Sequence, residues 1–347
     1  MVIYPDTRYP VVDGIPYLRT GREQLRTAVL ECLDAGHTRK ALSLLLQDQD
    51  DWARTPPPSI EAIQPVIDGG LSLREAMQAL NFGPVADYFA YRWSDPTFLS
   101  GLALLETHLP GDATVFELAC GIGHYLREFE LRGIPAIGGD VVFAKLWLAR
   151  RYVAPNSQLI CFDAGSPFPL ASGSVRAAFC HDALYFLRNK AHVAAELRRV
   201  VGPTGAILIG HTHNAAADNF SSGEPLLPEQ YAALFPGAVQ YDDAELTRSA
   251  VAGRSPQPGV PSKAPAIALA SGAVCGTVRF TVPAPGAPLQ INPLLTSGRL
   301  SPEWPSERYE QEYAPLSQYL HLTEPPPLAP TDDLIRRRVF VSLPEQW

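Results

Sequence analysis

The sequence predicts an α/β fold: a mostly parallel sheet with helices on both faces, preceded by a helical segment and followed by a C-terminal extension. Three observations carry this. Between residues 113 and 213, short apolar runs alternate with helical patterns, the order that builds parallel strands joined by helices. Residues 20–110 show helical spacing throughout. Beyond residue 250 prolines crowd together, especially across 255–289 and in "EPPPLAP", and interrupt regular elements. With 347 residues, 46% hydrophobic and 18% charged, the chain can bury a substantial core as one large domain or two ordinary ones.

The elements follow in order. Residues 1–19 form an arm, with "YPVVDGIPYL" suited to a small hairpin. Residues 20–110 form a helical cap. In "REQLRTAVLECLDAG" the residues Leu25, Val29, Cys32 and Leu33 recur at helical spacing, and Gly36 is placed to end the helix. "TRKALSLLLQDQDDWA" is a second helix; "SIEAIQPVIDG" and "SLREAMQAL" are two shorter ones, and Ser72 with Glu75 fits a capping box. "DPTFLSGLALLETHL" leads into the core, residues 111–250. There "TVFELA", "IPAIGGD", "QLICFDA", the first half of "VRAAFCHDALYF" and "GAILIGHTH" read as strands, with helices between them. Residues 251–347 supply late strands and an extension that can cover the acceptor site; "VCGTVRFTVP" reads as a late edge strand.

Composition excludes several classes. A formal net charge of -8 argues against a general nucleic-acid binder, whose footprint is basic. Five cysteines at 32, 120, 161, 180 and 275, with no CxxC pair, fit buried thiols in a reducing compartment better than a disulfide framework. No charged leader precedes an apolar core at the N-terminus, and no run approaches the ~20 apolar residues that span a bilayer. A cytoplasmic protein without membrane partners is expected. Its oligomeric state is left open, a homodimer included.

The strand ends carry the functional signal, because ligands of such sheets sit beyond the carboxyl ends of the strands. Those ends hold Glu117–Gly123, Asp140, Asp163–Ala164, His181–Asp182 and His211–His213. The turn "GIGHYL" lacks the GxxxxGK[ST] of a phosphate loop. It also puts leucine where a dinucleotide turn needs glycine or alanine. Glu117 would repel a pyrophosphate but suits an ammonium, and Asp140 can take both hydroxyls of a ribose. The ligand implied has a ribose and a cationic amino-acid part.

"VFELACGIG" resembles the first motif of the class I S-adenosylmethionine-dependent methyltransferases, with Glu117 at the acidic position and Ala119, Gly121 and Gly123 at the three small positions. Ala119 replaces the usual first glycine, a tolerable change if its backbone angles are ordinary. "AIGGDVV" and "ICFDAGSPFPLASGSVRAAFCHDALYFL" resemble the next two motifs. The resemblance implies a Rossmann-like seven-stranded sheet and S-adenosyl-L-methionine as cofactor. It puts Asp140 on the ribose, Val141 beside the adenine, and Asp163 and Ala164 at the adenine amino group; Tyr91 or Arg92 would neutralise the methionine carboxylate. Arg176-Ala177 replaces the family's common Phe-Asp pair.

The implied activity is methyl transfer to a small molecule, a specialised metabolite, at oxygen, nitrogen or carbon. The alternatives are a cyclase or decarboxylase on the same fold, or a binding module without turnover. Proton removal falls to His211 first and His181 second, since imidazole titrates near neutrality; His181 also lines the cofactor. His124, after the glycine turn, is read as a helix-start residue, with a place bordering the cofactor as the alternative. No metal is expected: His211 and His213 could share an ion, but a third ligand would have to come from Asp182, Asp218 or Glu224.

Overall fold

The computed structural model describes residues 7–219, 223–272, 276–295, 300–325 and 329–347. The arm forms a hairpin from β1 (Val11–Val12) and β2 (Ile15–Pro16). Five helices follow, α1 (Glu23–Asp34), α2 (Thr38–Leu46), α3 (Ile60–Asp68), α4 (Leu73–Ala79) and α5 (Val85–Tyr91). The capping box at Ser72 and Glu75 is present, each satisfying an otherwise orphaned backbone N–H of the other. Then comes α6 (Pro96–His108), started by Asp95, whose carboxylate accepts the Phe98 N–H at 2.8 Å. Nearly every side chain of α6 is buried, because it packs against the sheet on one side and another helix on the other.

The core alternates as its pattern requires: β3 (Val115–Leu118), α7 (His124–Glu130), β4 (Ala136–Asp140), α8 (Phe143–Leu148), β5 (Gln158–Cys161), β6 (Ala177–His181), α9 (Lys190–Val201) and β7 (Ala206–His213). After α10 (Pro228–Leu234), β8 (Val239–Asp242) and α11 (Asp243–Ala252), β9 (Ala266–Ser271) inserts antiparallel between β7 and β8. The sheet has seven strands in the order β5-β4-β3-β6-β7-β9-β8. It is the mostly parallel, Rossmann-like α/β sheet that the sequence predicts. Strand order reverses between β3 and β6, so a crevice opens at their carboxyl ends.

The late edge strand expected in "VCGTVRFTVP" is not formed by its described residues. Pro283 at its end and the anchoring of the Phe280 and Thr281 N–H groups on Glu106 take its backbone elsewhere. The strand that completes the sheet is instead β9, "AIALAS", short and buried on both faces. Cys275 lies outside the described residues; the other four cysteines are free and buried. No helix among the described residues is long and apolar enough to cross a membrane.

Both flanks close on the core. Beyond β2, Leu18 N–H donates to Cys161 O at 2.7 Å, which lays the arm along the edge of β5. The tail contains β10 (Gln290–Ile291), α12 (Glu307–Tyr313), α13 (Asp332–Arg336) and β11 (Phe340–Val341). It clasps the segment after α5: Arg338 Nε donates to Trp93 O at 2.6 Å, Tyr319 OH to Ser94 O at 3.0 Å and Trp347 Nε1 to Ala90 O at 2.7 Å. Cap and tail therefore hold one another over the sheet.

Candidate active site

A cavity of about 700 Å³ lies at the carboxyl ends of β3, β4, β5 and β6, roofed by the cap and by α12. A second hollow, about 580 Å³, opens at the opposite end of the sheet beside Gly202 and Gly272, away from these strand ends.

One half of the first cavity is built around the turn after β3. Gly121 and Gly123 have φ of 57° and 85°, left-handed values that glycine adopts without penalty. A Cβ on Gly121 would stand 3.1 Å from the Phe89 ring, so the position also needs the missing side chain. Ala119 has φ 56°. Its backbone is therefore not the ordinary one its tolerance presumed; the alanine sits in a conformation that costs an L-residue roughly 1–2 kcal/mol. Asp140 holds the turn: its two oxygens accept the N–H groups of Gly121 and Val142, both at 2.9 Å. Glu117 is 3% exposed and its Oε2 is buried without a hydrogen-bond partner. Burial pushes its pKa well up, against the opposing pull of Arg92. Val141, Asp163 and Ala164 complete this wall.

The other half is a chain of alternating charges. Asp182 Oδ2 accepts from Tyr88 OH at 2.6 Å and Arg92 at 3.0 Å, and its Oδ1 accepts from Tyr185 OH at 2.8 Å. The Arg92 guanidinium lies 4.6 Å over the Tyr88 ring. His211 Nδ1 meets Asp243 Oδ2 at 2.7 Å, and His211 Nε2 lies 4.0 Å from Asp182 Oδ1. Burial alone would lower the His211 pKa, but Asp243 and Asp182 outweigh it and hold it at about 9. Burial would likewise raise Asp182, but His211 and Arg92 keep its carboxyl well below the usual range. Glu312, Tyr309 and Tyr313 of α12 face this half.

The two histidines expected to carry a proton stand in opposite electrostatic surroundings. With Asp243 and Asp182 beside it, His211 is held toward its protonated form as long as nothing takes its Nε2. His181 is neutral, its pKa lowered to about 3 by burial and by Arg92. Its Nε2 donates to Thr97 O at 2.8 Å, and its Nδ1 is buried without a partner. That ring lies across Gly210, where any side chain would collide with it. His124 opens α7 and points Nε2 at Phe89 O, 2.9 Å away. Tyr91 turns from the cavity to pack on Tyr309 and Trp347, while Tyr88, one helical turn earlier, faces in. Arg92 lines the cavity but is committed to Asp182. Sequence reasoning missed Tyr88, Asp243 and Glu312; Tyr88 and Asp243 meet Asp182 and His211 from distant parts of the chain, and Glu312 reaches the cavity only because α12 folds over it.

Residues 116–209 match the family model described as "Methyltransferase domain". No curated protein matches the chain. Among solved structures, one of a SAM-dependent methyltransferase, possible histamine N-methyltransferase, from Thermotoga maritima shows 13% identity and a TM-score of 0.39, over 53% of this chain and 92% of that one. The [4+2]-cyclase SpnF shows 19% identity and 0.38, over 52% and 82%. A SAM-dependent methyltransferase from Mesorhizobium loti shows 23% and 0.28, over 31% and 51%. The matched segment runs from β3 to β7 of the core, and the cap and tail lie outside it.

Proposed function

We propose that the protein is an S-adenosylmethionine-dependent methyltransferase acting on an enclosed small molecule. The observation that carries this is Glu117 Oε2: a buried carboxylate oxygen without a partner, on the wall of the cavity at the end of β3. Such an oxygen is costly unless a ligand satisfies it, and an ammonium does so where a pyrophosphate would be repelled. Glu117 would hold the amino group, Asp140 the ribose, and Val141, Asp163 and Ala164 the adenine. When bound, the cofactor supplies an electrophilic methyl on a sulfonium.

The chain's own residues do the rest. Arg92 and Tyr88 fix Asp182, and Tyr185, Tyr309 and Tyr313 supply apolar ring faces that exclude water at the acceptor end. Glu312 faces that end, and its pKa is raised by burial and then by the charge of Asp182. It is suited to receive a proton from an oxygen or nitrogen acceptor. Roofing by α12 favours a small acceptor over a protein or nucleic acid.

Calorimetry with S-adenosylhomocysteine tests the reading. The wild-type chain should bind it, and Asp140→Ala should weaken binding by on the order of tenfold or more, the loss of a charged hydrogen bond of roughly 1.5–3 kcal/mol. Absence of heat with both S-adenosylhomocysteine and S-adenosylmethionine overturns it.

A further inference from the structure

We propose that Asp182, His211 and His213 form a binding site for a divalent transition-metal ion at the acceptor end of the cavity. The sequence reading expected no metal, because no third Cys or His stands close to the two histidines and a third ligand would have to come from Asp182, Asp218 or Glu224. The fold supplies one: a ligand atom from each of the three residues lies within 4.8 Å of the others.

Several features make this a built site. A register shift between Ile209 and Thr212 breaks the β7–β9 ladder at His211, and such bulges re-aim side chains near functional sites. His211 (φ 42°) and Asp182 (φ 56°) both hold left-handed backbone, which non-glycine residues keep only when the surroundings impose it. Asp243 takes His211 Nδ1 at 2.7 Å and so turns Nε2 toward Asp182. A carboxylate behind an imidazole in this way is the usual outer support of a metal-bound histidine. The gap from Nε2 to Asp182 Oδ1, 4.0 Å, is too long for a hydrogen bond. Two ligands about 2.0–2.2 Å from a shared tetrahedral ion stand roughly 3.4 Å apart, so this pair needs to close by only about half an ångström to hold one.

The surroundings hold the ligands in place. Tyr88 and Arg92 anchor the other oxygen of Asp182, and His213 stacks on Tyr185 with ring centroids 3.9 Å apart. Two imidazoles and one carboxylate suit Zn²⁺, Fe²⁺, Co²⁺ or Ni²⁺ rather than Mg²⁺ or Ca²⁺. Three protein ligands leave a position open on the ion, the arrangement of catalytic rather than structural sites. Asp182 belongs to the cavity wall, so the class of ligand served is an acceptor that presents oxygen or nitrogen to the ion. The site does not depend on methyl transfer.

The test is calorimetric titration of the chelator-stripped full chain with Zn²⁺ and, separately, Co²⁺. One ion per chain should bind in the micromolar range or tighter. His213→Gln should weaken binding at least about tenfold, whereas His192→Gln, whose ring contacts Ser166 O, should bind as the wild type does. Because His213 makes no ion pair to Arg92, its variant remains decisive even if Asp182→Asn folds poorly. No stoichiometric binding, or binding unchanged in His213→Gln, overturns the proposal. S-adenosylhomocysteine affinity, measured on the same stripped protein, reports on the cofactor reading separately.

Discussion

The two halves of the cavity are built in opposite ways. The half proposed for the cofactor is local: Gly121 bonds Asp140 across 19 residues, and each strand end follows its own strand. The half proposed for the acceptor is assembled from afar: Tyr88 and Arg92 reach Asp182 across 94 and 90 residues, and His211 reaches Asp243 on the helix after β8. The cofactor half leaves a carboxylate oxygen open for a ligand. The other half pairs most of its charges internally, the exceptions being the gap between His211 and Asp182 and the buried Asp243 Oδ1. A local turn can therefore be kept while the chemistry beside it is rebuilt by cap, tail and late helices.

The sharpest way to break this comparison is to cut the assembled half. Arg92→Leu leaves Asp182 buried without its guanidinium, and breaking a buried pair costs about 3–5 kcal/mol. Denaturant unfolding of the variant should show a loss of that size. A cost under about 1 kcal/mol would mean that the tyrosines and His211 alone hold Asp182.

Next in size is the pH dependence of the metal-free protein. His211 titrates at about 9, above its unfolded value of ~6.5. Its contribution is complete below pH ~6.5 and is lost as pH rises to 9, roughly 3 kcal/mol over the window. His181 and His213 are lowered to about 3 and about 4. Their contribution is present above pH ~6.5 and is lost as pH falls toward those values. Thermal melts across pH should therefore peak near 6.5. In His211→Asn the alkaline fall should flatten while the acid fall remains; an unchanged alkaline limb would contradict the charge assignment.

A smaller effect is expected at Glu312. Its raised pKa means that ionisation at pH 7 works against folding, so Glu312→Gln should raise Tm by roughly 1–3 °C. A lower Tm would remove the strain that marks it as a functional group. The smallest effect belongs to the local half. Ala119→Gly relieves a left-handed alanine but frees the unfolded chain, so stability should rise by about 1 kcal/mol or less. A clear loss of stability would show that the Ala119 methyl packs usefully where it is.

Much of the cofactor half was legible in the sequence. Glu117, Gly121, Gly123, Asp140 and Asp163 stand at the ends of runs whose apolar pattern already marks them as strands. Once strands alternate with helices, geometry collects their ends at one edge of the sheet. The conformation of Ala119 was not legible, because alanine carries no signal for a positive φ. Nor was the choice of Tyr88 over Tyr91: both sit in one short aromatic helix, and only packing against Trp347 and Tyr309 turns Tyr91 away.

By itself, then, the sequence determined the α/β alternation, the glycine turn and the acidic residues that suit an amino-acid nucleoside, since these depend on spacing of a few residues along one chain direction. Only the tertiary structure decided the charges around His211, the partner of Arg92, the meeting of Asp182 with two histidines and the placing of Glu312 over the cavity. Each depends on charges and desolvation from segments far apart in the chain, and an ionisable group takes its character from what is buried beside it.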